Sequence, residues 1–321
     1  MFTRPLLLAA AASIAAPLSA AASDWPERSV RFVHGFAAGG NADVISRVIG
    51  EELSAGLGQP FVVEPRPGAG GNIASDFTAK ANPDGYTIQL LVGGHTVSGA
   101  LYENLAFDPV GDFAFVSAVS RFPFFVVTRA DHAFDSIEAV IEHARANPGM
   151  VTYGSAGIGT TQHLTGELLA VEAGVEMTHI PYGGGAAAVT ALLGGEIDLV
   201  IDAITPFAGQ LSAGTLRFLA ATSADRWGDL PDVPTVAETV APGFDVISWT
   251  GVGTTAGVDP AIVERLNAEV HRALGVAEVQ ERLRALGSEP WMTTPEELTE
   301  FVRGQIDDWN RVIDAAGIPR Q

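Results

Sequence analysis

The residues best suited to chemistry in this chain are glycines flanked by hydroxyls. One group reads Gly35-Phe36-Ala37-Ala38-Gly39-Gly40-Asn41-Ala42-Asp43, and another reads Tyr153-Gly154-Ser155-Ala156-Gly157-Ile158-Gly159-Thr160-Thr161. Each stands between an apolar strand and a helix of apolar periodicity. Backbone N–H groups at the positive end of a helix then bind an anion with no charged side chain. Two such loops, far apart in sequence, suggest a grip on one small anion from two sides. A third glycine-rich turn, Pro67-Gly68-Ala69-Gly70-Gly71-Asn72, opens a further helix and brings Asn72 to the same end. Lys80 is the only lysine, so an anion site must lean on backbone, hydroxyls or arginine.

Other chemistries fit the spacing poorly. No Gly-Lys-Ser/Thr follows either loop, and Gly157-Ile158-Gly159 continues with Thr160-Thr161-Gln162, without the third glycine of a dinucleotide fingerprint. Gly154-Ser155-Ala156-Gly157 lacks the nucleophile elbow of a serine hydrolase. Ser155 and Thr160 are better read as hydroxyl donors to a carboxylate, and Ser155→Ala is expected to weaken binding about tenfold. The seven histidines show no H-x-H or H-E-x-x-H spacing. His163 and His179 flank the expected cleft, where core positions suit them better than metal ligation. His95 follows a strand on the cleft side and is a candidate donor. Asp202 ends another strand there and would orient a ligand amine or a water, or cap a turn. No cofactor or metal is expected.

The elements that must position these residues alternate regularly. Arg31 to His34, Phe61 to Glu64 and Tyr86 to Val92 read as strands, with Val44, Ile45, Val48, Ile49 and Leu53 at helical spacing between the first two. That order implies a parallel sheet with helices on its faces. Phe122 to Val127 reads as another strand, after which the pattern restarts. Helix Ile137 to Ala146, strand Val151 to Tyr153, strand Thr178 to Tyr182, helix Ala186 to Leu193, and strands Ile197 to Ile201 and Leu216 to Ala221 follow. From Ala261 onward the chain is mostly amphipathic helix. The two strand–loop–helix units form a loose internal repeat. Ligands of open α/β sheets sit beyond the carboxyl ends of strands, so both loops would face each other across a cleft between two lobes.

Composition bounds the class. Arg4 precedes an apolar run from Leu6 to Leu18, and Ala20 and Ala22 offer a cleavage site. The reading is a secretory leader over 1–22, too short and alanine-rich for a membrane anchor. Cysteine is absent, which excludes disulfides and thiolate metal sites. About 300 remaining residues exceed what one core usually serves, favouring two domains. With 18 Lys+Arg against 38 Asp+Glu, the net charge of -20 argues against nucleic-acid binding. It does not exclude an anionic ligand, because affinity depends on local donors.

Taken together, the motifs resemble the receptor family of tripartite tricarboxylate transporters, the Bug family of periplasmic solute-binding proteins. The resemblance runs from about Trp25 to the C-terminus. Its marks are Phe36-Ala37-Ala38-Gly39-Gly40 with Asp43, then Arg66-Pro67-Gly68-Ala69-Gly70-Gly71 and Ala81-Asn82-Pro83-Asp84-Gly85-Tyr86-Thr87. Further marks are Tyr153-Gly154-Ser155 with Gly157, Gly159 and His163-Leu164, then Ile180-Pro181-Tyr182, Leu230-Pro231-Asp232-Val233-Pro234-Thr235 with Glu238, and Trp249 and Trp309. The sequence departs from the family at His34-Gly35, where Pro or Tyr-Pro is usual, and at Gly183, where lysine is common.

The resemblance implies an α/β, two-lobed periplasmic binding fold of Venus-flytrap, type II-like form, with the ligand cleft between the lobes. It implies a first lobe of 23–123 plus 247–321 and a second of 124–246. The expected ligand is a small organic acid, a dicarboxylate above all, held without an arginine clamp. Phe36, Ala37, Ala38, Gly39 and Asn72 would contact it from one lobe, and Ser155, Ala156, Gly157 and Thr160 from the other. Tyr182, His95 and Asp202 would set specificity. The partner implied is a membrane permease with a large and a small subunit, met by a monomeric periplasmic receptor that is not an enzyme. Two other readings use the same cleft: an exported hydrolase or isomerase, and a sensory receptor signalling to a histidine kinase.

Overall fold

Two β-sheets, each flanked by helices, organise the computed structural model, which describes residues 24–321 except Ser212 and Asp229. The expected leader, 1–22, lies outside the described residues. The chain begins with β1 (Val30–His34), α1 (Asn41–Leu57), β2 (Phe61–Pro65), α2 (Asn72–Ala79), β3 (Thr87–Val92), α3 (Gly94–Leu101) and β4 (Phe113–Pro123). It then enters the second sheet through β5 (Phe125–Arg129), α4 (Ile137–Ala146), β6 (Val151–Ser155) and α5 (Thr161–Ala173). There follow β7 (Met177–Pro181), α6 (Gly185–Gly194), β8 (Leu199–Asp202), α7 (Ala208–Leu211), β9 (Leu216–Ala221) and α8 (Val236–Thr239). The chain returns with β10 (Ile247–Thr255), α9 (Pro260–Leu274), α10 (Ala277–Ala285), β11 (Glu289–Pro290) and α11 (Pro295–Ala316).

The first sheet has the order β11-β4-β10-β3-β1-β2 and the second β7-β6-β8-β5-β9. Their βαβ parts are parallel, as β1 with β2 and β3, and β6 with β7 and β8. The remaining pairs are antiparallel, so both sheets are mixed where strand–helix alternation alone predicts parallel ones. The cause is the crossing: β5 and β10 are fed directly from the other lobe, without the helical return that keeps neighbours parallel. The run Phe122 to Val127 also divides. Pro123 ends β4, and Phe125 opens β5 in the other sheet.

Thr222 joins the two crossing segments. Phe124 N–H donates to its hydroxyl at 2.9 Å, the hydroxyl donates to Val246 C=O at 2.7 Å, Thr222 N–H donates to Phe124 C=O, and Val246 N–H donates to Thr222 C=O. Every polar group of this buried residue is used, which registers the two connections side by side.

Apolar packing explains why the helices lie where they do. On one face of the first sheet, Ile45, Ile49 and Leu53 of α1 and Leu266, Val270 and Leu274 of α9 bury against Phe32, Ile88 and Leu90. A separate cluster spans both lobes behind the cleft: Val97 and Leu101 of α3 and Trp309 and Ile313 of α11 join Phe124, Tyr153 and Leu164. Each such side chain contributes about 1.5–3 kcal/mol on burial. No helix of the described residues is long and apolar enough to cross a membrane.

Candidate functional site

Four helices aim their first residues at one cavity between the two lobes. Asn41 of α1 and Gly94 of α3 come from the first lobe, and Thr161 of α5 and Gly185 of α6 from the second. The atom-free space of the cavity, counted together with its opening to solvent, is about 450 Å³. Phe36, Val92, Phe122, Phe124 and Ala156 supply apolar wall, while Gln162, Asp202 and Ser248 add polar groups. Among the described residues, no arginine, lysine or histidine lines it. Positive potential there comes from helix ends, whose free N–H groups and dipoles together favour an anion.

Two hydroxyls converge on the floor. A Cβ built on Gly93 would stand 2.6 Å from Thr161 Oγ1 and 2.7 Å from Ser248 Oγ. Thr161 Oγ1 is fully buried and has no hydrogen-bond partner among the described residues. A buried hydroxyl without a partner costs about 1–3 kcal/mol, so this one is poised for a bound group.

Asp202 is 3% exposed at the end of β8. Its Oδ1 accepts from Gln162 Nε2 at 3.1 Å and from Ala203 N–H at 2.7 Å. Burial pushes its carboxyl up to about 6, against the opposing pull of those two hydrogen bonds. Its Oδ2 lies against Gly185, where an added Cβ would stand 2.1 Å away.

The glycine loops are held by buried side chains outside the cavity. Asp43 accepts from Gly39 N–H at 3.1 Å, from Arg47 at 2.9 and 3.2 Å, and pairs with His34 Nε2 at 3.2 Å. Despite burial, the hydrogen bonds of Arg47 and Gly39 hold Asp43 below its ordinary value. In the second loop, Ser155 Oγ accepts from Gly157 N–H at 3.0 Å and lies 2.6 Å from His179 Nε2. Thr160 caps α5 by accepting from His163 N–H, and donates to Gly157 C=O at 2.7 Å. His163 Nδ1 accepts from Gly159 N–H at 3.4 Å. The rings of His163 and His179 stack at 4.1 Å, and burial pushes both below the usual histidine range, His179 to about 3.

Loops of the two lobes meet directly. Ala37 N–H donates to Gly183 C=O at 3.4 Å, and Thr205 Oγ1 donates to Asn41 Oδ1 at 2.6 Å. Gly70, with φ +64°, lies so close to the second loop that an added Cβ would stand 2.4 Å from Ile158 C=O. Gly184 similarly faces Ala37. The cleft is therefore closed in this conformation.

Of the residues singled out from sequence, Phe36, Ala156 and Asp202 line the cavity. Ala37 and Gly39 form its rim opposite Gly184 and Ala186, with Ala38 exposed beside them. Gly157 sits at the lobe contact, near Tyr182 C=O and Gly70 N–H. Ser155 and Thr160 are 0% exposed, with hydroxyls turned into their own loop. Asn72 and His95 border a smaller cavity of about 240 Å³. His95 is engaged within its lobe: Nε2 donates to Pro109 C=O at 2.7 Å, Nδ1 faces Ser75 Oγ at 3.3 Å, and Phe107 and Phe113 pack around the ring. Burial pushes it down to about 4, so it is neutral. Tyr182 packs over Gly154, with Glu196 near enough to raise its hydroxyl further.

Sequence reasoning missed Asn41, Thr161, Gln162 and Ser248. The first three are the opening residues of helices behind glycine loops, and that position was a usable signal. Ser248 had none, because only the placement of β10 beside β3 brings it to the cleft.

Two α/β lobes joined by crossing strands, closing on a cavity ringed by helix N-termini, define a hinged solute-binding protein. Comparison with known proteins narrows the class. The family model for the tripartite tricarboxylate transporter family receptor matches residues 45–318. BugT of Bordetella pertussis is 36% identical over 310 residues, spanning 96% of this chain and 94% of that protein. An R. palustris protein solved with adipate is 36% identical at a TM-score of 0.88, covering 92% of this chain and 99% of that one. MatC from Rhodopseudomonas palustris, solved with bound malate, is 32% identical at a TM-score of 0.85, covering 90% and 100%. This chain belongs to the tripartite tricarboxylate transporter receptor family. It is a periplasmic-type solute-binding receptor of a tripartite transporter family, and not an enzyme.

Proposed function

We propose that this receptor captures a small dicarboxylate by hinge closure and delivers it to a membrane permease with a large and a small subunit. The observation that carries the reading is the cavity itself: four helix N-termini from two lobes, two hydroxyls and no cationic side chain. Backbone donors suit carboxylates, whose oxygens accept several N–H bonds in fixed directions. Relatives of 36% and 32% identity were solved with adipate and malate. Within this reading, 23–123 with 247–321 moves as one body and 124–246 as the other. The hinge is the pair of crossings stitched by Thr222. The protein acts as a periplasmic monomer after cleavage of its leader near Ala22.

Direct contacts to the ligand are assigned to backbone N–H groups near Asn41, Ala156, Thr161 and Gly185 and to the hydroxyl of Thr161. Ser155, Gly157, Thr160 and Asn72 hold the loops that present them. A thermal-denaturation screen with adipate, malate, shorter and longer dicarboxylates and citrate tests this. A ligand at about a hundred times its Kd stabilises the native state by about 2.7 kcal/mol, so at least one dicarboxylate is expected to raise the melting temperature by several degrees. A panel in which no dicarboxylate shifts it would overturn the proposal.

A further inference from the structure

The cavity has one ionisable side chain, and its charge has the wrong sign for the ligand. Asp202 stands on the wall of a site that otherwise offers only neutral donors. Among the described residues, no cation faces it from the elements packed against it. From α5 it receives Gln162, whose neighbour His163 turns to Gly159 and His179. From α6 it meets Gly185, the first residue of a helix without charged residues. The turn Thr205–Phe207 contributes Pro206 and no charge. Across the cleft, Asn41 faces Thr205, while Asp43, Arg47 and His34 are committed to one another. A carboxylate ligand in this space would therefore meet a second carboxylate with no counter-charge. Like charges sharing a buried site do not both persist, and one takes a proton.

We propose that Asp202 takes up one proton as the dicarboxylate binds and donates it in a hydrogen bond to a ligand carboxylate, making capture proton-coupled. This rests on the carboxylate reading above. The step forms one O–H bond at Asp202 Oδ2, with the proton supplied by solvent; no other bond changes and nothing is oxidised. Oδ1 keeps its bonds from Gln162 and Ala203, which accept either protonation state. Among the described residues Oδ2 receives no hydrogen bond, and it lies against Gly185 on the cavity wall, where it can carry the hydrogen. Burial already brings the Asp202 carboxyl up to about 6, so protonation near neutral pH needs only the added anion. Asp202 is thereby a specificity residue: it favours an acceptor carboxylate at its end of the cavity.

The test is calorimetry of the mature protein with adipate and with malate, in HEPES and in Tris, whose ionisation heats differ. Near pH 7.5 we expect uptake of about one proton per ligand, and affinity that weakens about tenfold per pH unit above neutrality and levels off below about pH 5.5. Asp202→Asn replaces the O–H donor by an amide N–H. It should bind with affinity independent of pH and with no proton uptake. Wild-type binding without proton uptake, or full uptake retained in Asp202→Asn, would overturn the inference and leave the carboxylate reading standing. If neither acid binds, the titration is run with the dicarboxylate that raises the melting temperature most, and a panel in which none binds between about pH 5.5 and 7.5 would remove the carboxylate reading and this inference with it.

Discussion

Ser155 is the residue whose role changes most between its sequence context and its surroundings. A hydroxyl in a glycine loop suggests a ligand donor, yet Oγ is fully buried, accepts from Gly157 N–H and touches His179 Nε2. Ser155→Ala leaves a buried N–H and a buried imidazole without their partner, which costs about 1–2 kcal/mol of stability. Urea denaturation should show that loss, and ligand affinity should fall less than stability predicts for a direct contact. A fall in affinity with unchanged stability would return Ser155 to the ligand. His95 teaches a similar lesson. Its place after β3 was legible, but α3 starts at Gly94 and turns the ring into Phe107 and Phe113. Strand order predicts which end of a sheet a residue occupies; helix phase decides where its side chain goes, and a single sequence carries little of that. Asp202 was legible because a carboxylate closing an apolar strand has few ways to avoid the cleft.

At the level of elements, the glycine loops were readable because their spacing answers a backbone need. Gly70 illustrates it: positive φ and the approach of Ile158 C=O both exclude a side chain. The contact joins loops from different lobes, so the strain of that close approach belongs to closure, while the positive φ would cost the first lobe about 1 kcal/mol in either state. Gly70→Ala should therefore weaken ligand binding by about tenfold or more, equivalent to about 1.4 kcal/mol, while the unliganded protein melts within a few degrees of wild type. Calorimetry paired with thermal denaturation checks both halves, and a loss of stability equal to the loss of affinity would place the strain within one lobe. The antiparallel strands were less readable. β4 and β10 pair along most of their length, but Phe113–Pro123 and Ile247–Thr255 are separated by the whole second lobe. Their pairing follows from where the chain re-enters the first sheet. Likewise the break at Phe124 inside an apolar run is a change of sheet, and only Pro123 hinted at it.

The whole molecule carries two opposed responses to acid. Burial is the largest influence on His34, His95, His163 and His179, and pushes all four below the ordinary histidine range of about 6.5. The native state keeps them neutral while the unfolded chain protonates them, so the unfolded state binds more protons below about pH 6.5. Stability is present above that value and is lost as pH falls toward the folded values. For a fully buried ring such as His95 the loss is about 1.4 kcal/mol per pH unit until its folded value of about 4 is reached. Asp202 has the opposite sign. Its folded value of about 6 exceeds the unfolded one, so its burial costs stability at neutral pH and less of it in acid. One carboxyl cannot offset four imidazoles, and the unliganded protein should melt several degrees lower at about pH 5 than at about pH 7.5. Two of these histidines brace the second glycine loop, through Gly159 and Ser155, and His34 braces the first through Asp43. Acid thus loosens the loops while proton uptake at Asp202 strengthens the ligand's hold on them. The adipate-bound protein should consequently lose less melting temperature over the same pH interval than the free protein. Parallel melting curves with and without adipate measure this difference directly, and equal slopes would contradict the coupling.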